Sequence, residues 1–386
     1  MIDYFNISIK GSDFPAIGKE LRTKQPSGAK TKSFTDVMVR VATGAPHFHM
    51  KVESRAKRIK LWGSPAQFLQ CHNGMGSNDF RSLVKASVLL AFETLRLDCP
   101  RSVLDAISSG EYEVHEVHVA EQYRMPHALV RGLCDNIRRN ADSSLQAVPL
   151  EKGIGVRLFP NSRDRQILIY DKHHYFMDGL MKHRIKLLGK MPRDFARSGR
   201  GLEFEMMMNE VLAKGIRIET RLKRLLNRKI NPLNRGNLWI SETARQLHCE
   251  VLRDVPLSDL PPISVQEQLL ATVSTGHKRL IALWLTGRNM QQFFDSDATY
   301  YRRRKIMLKL HNIDLSIKPI PNCGIKWSDV ISPCSIIEVP AWAKQCGFVY
   351  EPGRKCGWSN PTQNHRAWLN PEPPIQCGKR RAPTER

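Results

Sequence analysis

The sequence predicts an α+β fold in which a mainly antiparallel sheet domain, residues 1–250, precedes a smaller helical domain, residues 264–352. Three observations support this prediction. The first 230 residues mix strand-like and helix-like stretches without the strand–helix rhythm of a parallel sheet. A proline-rich segment, Val255–Ile263, then separates them from two helical stretches. From Gly353 onward the chain is rich in proline, asparagine and arginine, so we expect residues 353–386 to form a basic, disordered tail.

Each element follows from the spacing of its apolar residues, which alternate in strands and recur every three to four residues in helices. The predicted strands are, in chain order, FNISIK, TDVMVRVA and HMKVES within residues 1–63, EYEVHEVHVAEQY at 111–123, Val156–Leu158, Ile167–Tyr170 and GIRIETRLK at 215–223. The predicted helices are Ala66–Gln70, Phe80–Leu97, Met125–Asn140, Phe176–Leu188, Phe204–Lys214, Ser264–Leu285 and Ala298–Leu310. Before the last helix, GRNMQQFF and a turn with Asp297 as the expected N-cap complete a helix-turn-helix-like pattern.

The charge of the chain predicts a polyanionic partner. Its 60 Lys and Arg residues against 37 Asp and Glu residues give a formal net charge of +23, which favours contacts with nucleic-acid phosphates. A generally basic surface without a dedicated site is the alternative. Against it, the basic residues are clustered, at Arg55–Lys60, Lys214–Lys229, Arg302–Lys305 and Lys379–Arg381. No run of eighteen apolar residues exists, so we expect no membrane contact.

The segment RQILIYDKHHY, Arg165–Tyr175, contains a candidate nucleophile. Strand alternation places Tyr170 and Lys172 on one face, two residues apart. A phenol has a pKa near about 10 and is a poor nucleophile at neutral pH. A neighbouring ammonium and a metal-bound phosphate would favour the phenolate and stabilise charge on the phosphoryl group. The alternative is that Tyr170 is a half-buried packing residue.

Three segments contain candidate metal ligands. On the strand at 111–123, alternation places Glu116 and His118 on one face and His115 on the other, with Val117 and Val119. A carboxylate beside an imidazole suits Mg²⁺, Mn²⁺ or a similar ion. The remaining candidates are His72, in a glycine-containing loop, Glu219 on the last strand, and the triplet PHFHM, whose His47 and His49 form an alternative site.

Two segments contain candidate DNA contacts. In GIRIETRLK, Arg217 and Arg221 flank Glu219 on one face, and Lys223 follows them. The arginines are predicted to bind DNA phosphates, with a structural row of ion pairs as the alternative. On the last predicted helix, the run of basic residues after Tyr300 is expected to face phosphates or a groove. These predicted contacts are Tyr300, Arg302, Arg303, Arg304 and Lys305.

In order along the chain, these segments resemble the gene II/gene X replication initiators of filamentous phages. SPAQFLQCHNGMGSNDF resembles the family's SPA-x-x-LQGHN-x-FG-[ST] box, ILIYDK its tyrosine strand, and GIRIETRLK its R-[FI]-E-x-R-[IL]-K strand. LTGRNMQQFF and VPAWAKQCGFVYEP resemble later segments, so the resemblance extends to about Pro352. The chain departs from the family at His118, where aspartate is usual, at Glu116, where arginine is usual, and at Cys71, where glycine is usual.

The resemblance implies a nickase-like catalytic domain and a rolling-circle mechanism. Tyr170, with Lys172 beside it, would nick one strand at the origin of a double-stranded circular DNA. The products would be a 5′-phosphotyrosine and a 3′-OH primer, and the displaced single strand would later be rejoined. The implied cofactor is Mg²⁺ or Mn²⁺. The implied partners are the host helicase and polymerase, and the implied location is the host bacterial cytoplasm. Two alternatives remain, a non-catalytic DNA-binding replication regulator of the same family and a winged-helix transcription factor.

Overall fold

A large antiparallel sheet packed against helices dominates the protein, which we describe from a computed structural model. The described residues are 1–11, 13–24, 30–40, 46–53, 57–70, 72–125, 127–141, 143–150, 155–176, 208–223, 233–257, 270, 273–311, 313–317, 326–345 and 348–352. For residues 20–24, 30–34, 46–47 and 127–128 the description covers only the backbone. The predicted helix Phe176–Leu188, the junction near 264 and the tail 353–386 therefore lie wholly or mostly outside the described residues.

The strands form one main sheet and one separate hairpin within the described residues. The strands are β1 Ile2–Lys10, β2 Glu20–Lys24, β3 Lys30–Phe34, β4 Val37–Arg40, β5 Pro46–Glu53, β6 Arg58–Gly63, β7 Glu113–Arg124, β8 Val148–Pro149, β9 Gly155–Leu158, β10 Arg165–Tyr170 and β11 Gly215–Leu222. The main sheet has the order β4–β5–β6–β1–β7–β11–β10–β9–β8, and β2 pairs with β3. Each neighbouring pair in the main sheet is antiparallel, which confirms the predicted α+β class.

The helices are α1 Pro65–Gln70, α2 Phe80–Thr94, α3 Arg101–Ser109, α4 His127–Asn140, α5 Thr243–Arg253, α6 Thr275–Leu285, α7 Asp297–His311, α8 Trp327–Val330 and α9 Ala341–Gln345. Of these, α1, α2, α4 and α7 lie within three residues of their predicted bounds. The predicted helix Ser264–Leu285 instead begins at Thr275, after the N-cap Ser274, and α3, α5, α8 and α9 were not predicted. At the start of α2, the Asp79 side chain accepts a hydrogen bond from the Ser82 amide at 3.0 Å, as an N-cap does. α3 ends at Gly110, whose φ of 82° is left-handed and suits glycine. In the described part of the chain, no helix has both the length and the apolar character needed to cross a membrane.

One face of the sheet is apolar and the other is polar, and the candidate site lies on the polar face. On β1, Phe5, Ile7 and Ile9 are fully buried, and the Phe5 ring lies 6.0 Å from Phe80 of α2. Burying such side chains contributes about 1.5–3 kcal/mol each. Residues that alternate with them, such as Tyr4 and Asn6, face the other way and form a polar face. We call the side that packs on the helices the apolar face and the other side the polar face.

The predicted orientation of His115 is wrong because β7 contains a bulge. The pairing of β1 with β7 shifts register between Asn6 and Ile7, so two consecutive residues, His115 and Glu116, are excluded from the core while Val114 and Val117 are fully buried. His115 Nε2 lies 2.8 Å from the Ser8 hydroxyl. An extra residue in one strand interrupts the alternation on which the prediction depended.

The helical part shares its core with the sheet domain. Ile281, Met307 and Trp327 belong to the same continuous apolar cluster as Ile2 of β1. The N-cap of α7 is Ser296 and not the predicted Asp297. The Ser296 hydroxyl accepts a hydrogen bond from the Thr299 amide at 3.3 Å. The Asp297 carboxylate instead accepts a hydrogen bond from the Gln291 side chain at 2.8 Å.

A C-terminal segment also returns to the sheet domain. The Ile337 amide donates to the Gln122 carbonyl at 2.7 Å. The Tyr350 amide donates to Gln70 Oε1 at 2.9 Å. Part of the region predicted as a helical domain therefore packs beside the loop that follows α1.

Candidate active site

Tyr170 lies at the end of β10, on the polar face and beside the middle of the sheet. It pairs with Arg217 on β11, and its hydroxyl donates to Glu219 Oε2 at 3.4 Å. The Tyr175 ring meets the Tyr170 ring edge-on at 5.4 Å. Only 7% of Tyr170 is exposed. Burial, and after it the negative charge of Glu219, raises the pKa of Tyr170 well above its ordinary value, so the phenol is neutral before substrate binds.

Lys172 contacts the loop after α1 rather than the tyrosine hydroxyl. Its ammonium donates to Asn73 Oδ1 at 2.8 Å, and the Asn73 amide donates to Asp3 Oδ1 at 2.9 Å. Burial, followed by the nearby Arg217 guanidinium, lowers the pKa of Lys172 to about 8. In this arrangement Lys172 does not offset the effect of burial on Tyr170, contrary to the expected stabilisation of the phenolate. A phosphate entering here would meet a poorly solvated ammonium.

A row of charged groups extends from the tyrosine across β11 and β7. Glu219 Oε1 accepts from Arg221 Nε at 2.7 Å and lies 3.3 Å from His118 Nδ1. His118 Nε2 lies 2.9 Å from Glu116 Oε1, and Lys223 Nζ lies 3.7 Å from the same oxygen. The three predicted ligands Glu116, His118 and Glu219 are thus brought together, with two predicted DNA contacts beside them.

The protonation of this row follows from burial and pairing. Burial acts to lower the pKa of His118, but its hydrogen bonds to Glu116 and Glu219 outweigh burial and raise that pKa. Burial acts to raise the pKa of Glu219, but His118 and Arg221 outweigh it and hold that pKa far below its ordinary value. The pairing with two carboxylates therefore favours the imidazolium form of His118. The Tyr4 ring stacks on His118 at 4.5 Å and covers it.

The donor set fits a divalent cation only in part. Glu116 and Glu219 bind opposite nitrogens of His118, so the two carboxylates do not converge on one point. Among the residues that the structure describes, no three His, Cys, Asp or Glu side chains form a group able to hold a metal ion. However, a metal-bound imidazole commonly donates its other N–H to a carboxylate. His118 with one carboxylate as a ligand and the other as its orienting partner satisfies that chemistry.

His72 lies apart from this row and faces the C-terminal segment. Its Nε2 lies 2.6 Å from the Phe348 carbonyl oxygen, and its Nδ1 lies 3.4 Å from the Gly74 amide nitrogen. With both ring nitrogens directed at backbone atoms, His72 joins the loop to the segment around Phe348. The structure therefore does not bring it to the three other predicted ligands.

Arg217 is buried, in contrast to its predicted contact with DNA phosphates. Only 1% of the residue is exposed. Its guanidinium donates to the Gly74 carbonyl, to the Asn73 carbonyl at 3.3 Å and to Gln122 Oε1 at 3.4 Å. Arg217 therefore positions the loop that presents Asn73 to Lys172. The sequence indicated the importance of this loop, but Asn73, Asp3 and Tyr4 were not recognised as site residues because their contacts join distant parts of the chain.

The stability of the fold is expected to fall in mild acid because His72 is buried. Burial is the main cause that lowers the pKa of His72 to about 4, from 6.5. The unfolded chain then binds a proton that the folded chain does not, so stability present above pH 6.5 is lost as the pH falls toward 4, by up to about 3 kcal/mol. His72→Gln should remove the part of this dependence that His72 causes, about half of it in urea unfolding between pH 7 and pH 5, because burial also lowers the pKa of His248 to about 4. The exposed His174, replaced by glutamine, is the control; equal pH dependence in the His72→Gln protein would refute the prediction.

The HFH triplet belongs to another part of the sheet. His47 and His49 lie on β5, and the side chain of His47 is outside the described part of the structure. The order of strands separates β5 from Tyr170 on β10 by five spacings, about 24 Å. A cation at His49 could therefore not act on a phosphate beside Tyr170, and His49 instead stacks on Trp62.

Of the predicted DNA contacts on α7, three basic residues are exposed and one is paired with a carboxylate. Arg302, Arg303 and Lys305 are exposed. Arg304 makes two hydrogen bonds with Asp314, at 2.6 and 2.7 Å. Tyr300 is 5% exposed and its ring packs on Phe294, so the predicted DNA contact by Tyr300 is replaced by a core contact. The physical reason is helical periodicity, which turns residue 300 toward Met307 and the core while its neighbours face solvent.

Comparison with known proteins identifies relatives of the part that contains this site. Residues 1–246 match the family model that describes the N-terminal part of the phage replication-associated protein encoded by gene II. The corresponding replication-associated protein of Enterobacteria phage I2-2 is 24% identical over 264 residues, which is 68% of this chain and 71% of that protein. The matched range contains the entire main sheet, including the strands that position Tyr170 and Glu219.

Proposed function

This chain belongs to the family of phage gene II replication-associated proteins, and from that membership we propose that it initiates rolling-circle replication by nicking and rejoining origin DNA through Tyr170. The observation that carries the proposal is the position of the Tyr170 hydroxyl, 3.4 Å from Glu219 Oε2. There it lies at one end of the row of charged groups on the polar face of the sheet. A phenol held by a carboxylate, with the guanidinium groups of Arg217 and Arg221 nearby, is suited to phosphoryl transfer.

In the proposed reaction, the Tyr170 oxygen attacks the scissile phosphorus and the bond from phosphorus to the 3′ oxygen breaks. The tyrosine proton passes through solvent to the departing 3′ oxygen, which leaves as the 3′-OH of the primer, and the 5′ phosphate stays on the protein as a phosphotyrosine. Glu219 orients the phenol, while Lys172 and Arg221 stabilise charge on the phosphoryl oxygens. In the closing step, a 3′-OH attacks the phosphotyrosine and releases Tyr170. Because the ester bond is conserved, no nucleotide is consumed.

We further propose that Mg²⁺ or Mn²⁺ takes part, with His118 and Glu219 as ligands and Glu116 orienting the imidazole. The mixed nitrogen and carboxylate donors favour Mn²⁺. Such an ion, when bound, would polarise the scissile phosphate. His118 must give up a proton to bind it, so the cation and the proton compete for one nitrogen. Two protein ligands leave positions for water and phosphate oxygens, as is usual for Mg²⁺ at phosphoryl-transfer sites.

The test is to incubate the protein with supercoiled circular DNA that contains its phage origin, with Mg²⁺, with Mn²⁺ or with EDTA. The expected products are nicked and relaxed circles with protein attached to a 5′ end after denaturation in detergent. EDTA should prevent both. Absence of nicked circles and of any attached protein under both metals, with tight origin binding retained, would refute the enzyme and support the second candidate. That candidate is a non-catalytic DNA-binding regulator, favoured by His118 where the family usually has aspartate.

Origin binding is expected to depend in part on α7, through its exposed basic residues Arg302, Arg303 and Lys305. Each phosphate contact that is removed should lower the salt slope of duplex binding by about 1 and weaken binding similarly on all sequences. Replacing all three by alanine should therefore reduce the slope by about 3 when affinity is measured by anisotropy over a range of salt concentrations. Arg101→Ala, an exposed arginine of α3, is the control, and an unchanged slope for the triple variant would contradict the prediction.

A further inference from the structure

A stacked aromatic pair lies on the polar face of the sheet, with His49 on β5 and Trp62 on β6, the strand next to β1. The His49 and Trp62 rings are nearly parallel, 8° apart, with centroids separated by 5.3 Å. His49 Nδ1 lies 3.2 Å from Asp36 Oδ2, which fixes the ring orientation. One third of the His49 side chain is exposed, and Trp62 is partly exposed. Neither ring contributes to the apolar core, which is formed by the neighbouring residues Phe48 and Leu61.

The surroundings of this pair are basic. Lys51 and Lys60 lie opposite each other in the next row of the sheet, and Arg58 and Lys10 form the row after it. Arg40 lies on the neighbouring strand, with its guanidinium 3.5 Å from Met38 Sδ. Acidic groups partly compensate these charges, since Glu53 pairs with Lys60, Glu113 with Lys10 and Arg58, and Asp36 with His49. Five cations against three carboxylates leave the surface positive.

The pair is continuous with the candidate active site through the register of the sheet. His49 is opposite Trp62, Trp62 is opposite Asn6, and Asn6 is opposite Glu116. Glu116 in turn bonds His118. Trp62 is two strand spacings from Glu116, about 10 Å. Within the described residues, α1, α2 and α3 pack on these strands and β3 contacts β5, yet one third of the His49 side chain stays exposed and Trp62 is partly exposed.

From this arrangement we infer that the His49–Trp62 pair stacks an unpaired base of the strand that flanks the cleaved phosphate, with Lys51 and Lys60 on its backbone. This inference rests on the proposed function, which supplies the cleaved strand. Exposed ring faces beside a basic track bind single strands, whose bases are free to stack, in a sequence-tolerant way. Duplex DNA offers base edges and phosphates but no free ring faces, so the pair should discriminate between the two forms. The HFH triplet would thus contribute a stacking residue rather than metal ligands.

The experiment measures binding of a fluorescein-labelled oligothymidylate and of a duplex of equal length by full-length Tyr170→Phe protein, which is not expected to form a covalent product. Adding Trp62→Ala should weaken single-strand binding about 5- to 150-fold, the range that one stacked base contributes. Trp62→Phe should preserve most of the affinity because the ring face remains. His49→Ala should also weaken single-strand binding. Duplex affinity should change by less than about twofold.

Trp284→Ala, at a partly exposed tryptophan of α6, is the matched control and should leave both affinities unchanged. If Trp62→Ala and His49→Ala bind the single strand like their parent, the inference is wrong. Equal losses on single strand and duplex would also overturn it and would assign the surface to duplex DNA. Nicking of the origin by the protein with Tyr170 intact is assayed separately. If nicking is normal but the two alanine variants bind the single strand like their parent, only the inference fails. If nicking is absent, the proposed function itself fails.

Discussion

Replacing Tyr170 by phenylalanine is expected to abolish nicking and covalent attachment to DNA, with a rate loss of at least about 10⁴-fold. Phenylalanine keeps the ring, and so keeps the packing of Tyr170 against Tyr175. It removes the oxygen that would form the phosphoester bond. The measurement is conversion of supercoiled origin DNA to nicked and relaxed circles, together with detection of protein on the 5′ end.

The control for this substitution is Tyr175→Phe, which removes the hydroxyl oxygen of the neighbouring tyrosine. It should nick within about tenfold of the unmodified protein, as expected for a residue outside the bond-making step. Origin affinity should be unchanged in both variants. If Tyr170→Phe nicks normally, another nucleophile is responsible. If only Tyr175→Phe loses nicking and the adduct, the assignment of the two tyrosines is reversed.

Replacing Glu219 by glutamine is expected to have the second-largest effect, on both activity and stability. Glu219 is 3% exposed and interacts with Tyr170, His118 and Arg221. Glutamine has nearly the same volume but no charge. It would leave a buried imidazolium and a guanidinium without their shared partner, which costs about 3–5 kcal/mol. It would also remove the group that orients the phenol, so nicking should fall at least about 10²-fold.

Urea unfolding measures the first effect, and the rate of nicking per folded molecule measures the second. Glu210→Gln is the control, because Glu210 is an exposed carboxylate paired with Lys214 at 2.6 Å, and exposed pairs contribute only about 0–1 kcal/mol. If Glu219→Gln is as stable as the unmodified protein, the Glu219 carboxylate does not stabilise the side chains of His118 and Arg221. Normal nicking by the folded variant would remove Glu219 from the proposed mechanism.

The strands that contain the site were predictable because their signal is local. Alternation with a period of two identified the strands of Tyr170, of His118 and of Glu219, and it correctly placed Glu116 and His118 on one face. The bulge at His115 was not predictable, since an extra residue in one strand is stabilised by its pairing with another. The basic helix α7 was also visible in the sequence, whereas the burial of Tyr300 depends on which side of that helix packs on the core.

By itself, then, the sequence determined the α+β class, the family resemblance, the strand positions of Tyr170 and Glu219, and the basic charge. The tertiary structure alone decided which residues meet at the site. Arg217 is buried under the Asn73 loop instead of facing phosphates, His72 holds the segment around Phe348, and Trp62 shares a face with Glu116. The physical reason is that strand periodicity depends on neighbours two residues apart. The order β6–β1–β7–β11–β10, in contrast, pairs residues as far apart in sequence as Ile2 and Val119, and it is selected by packing of the whole core.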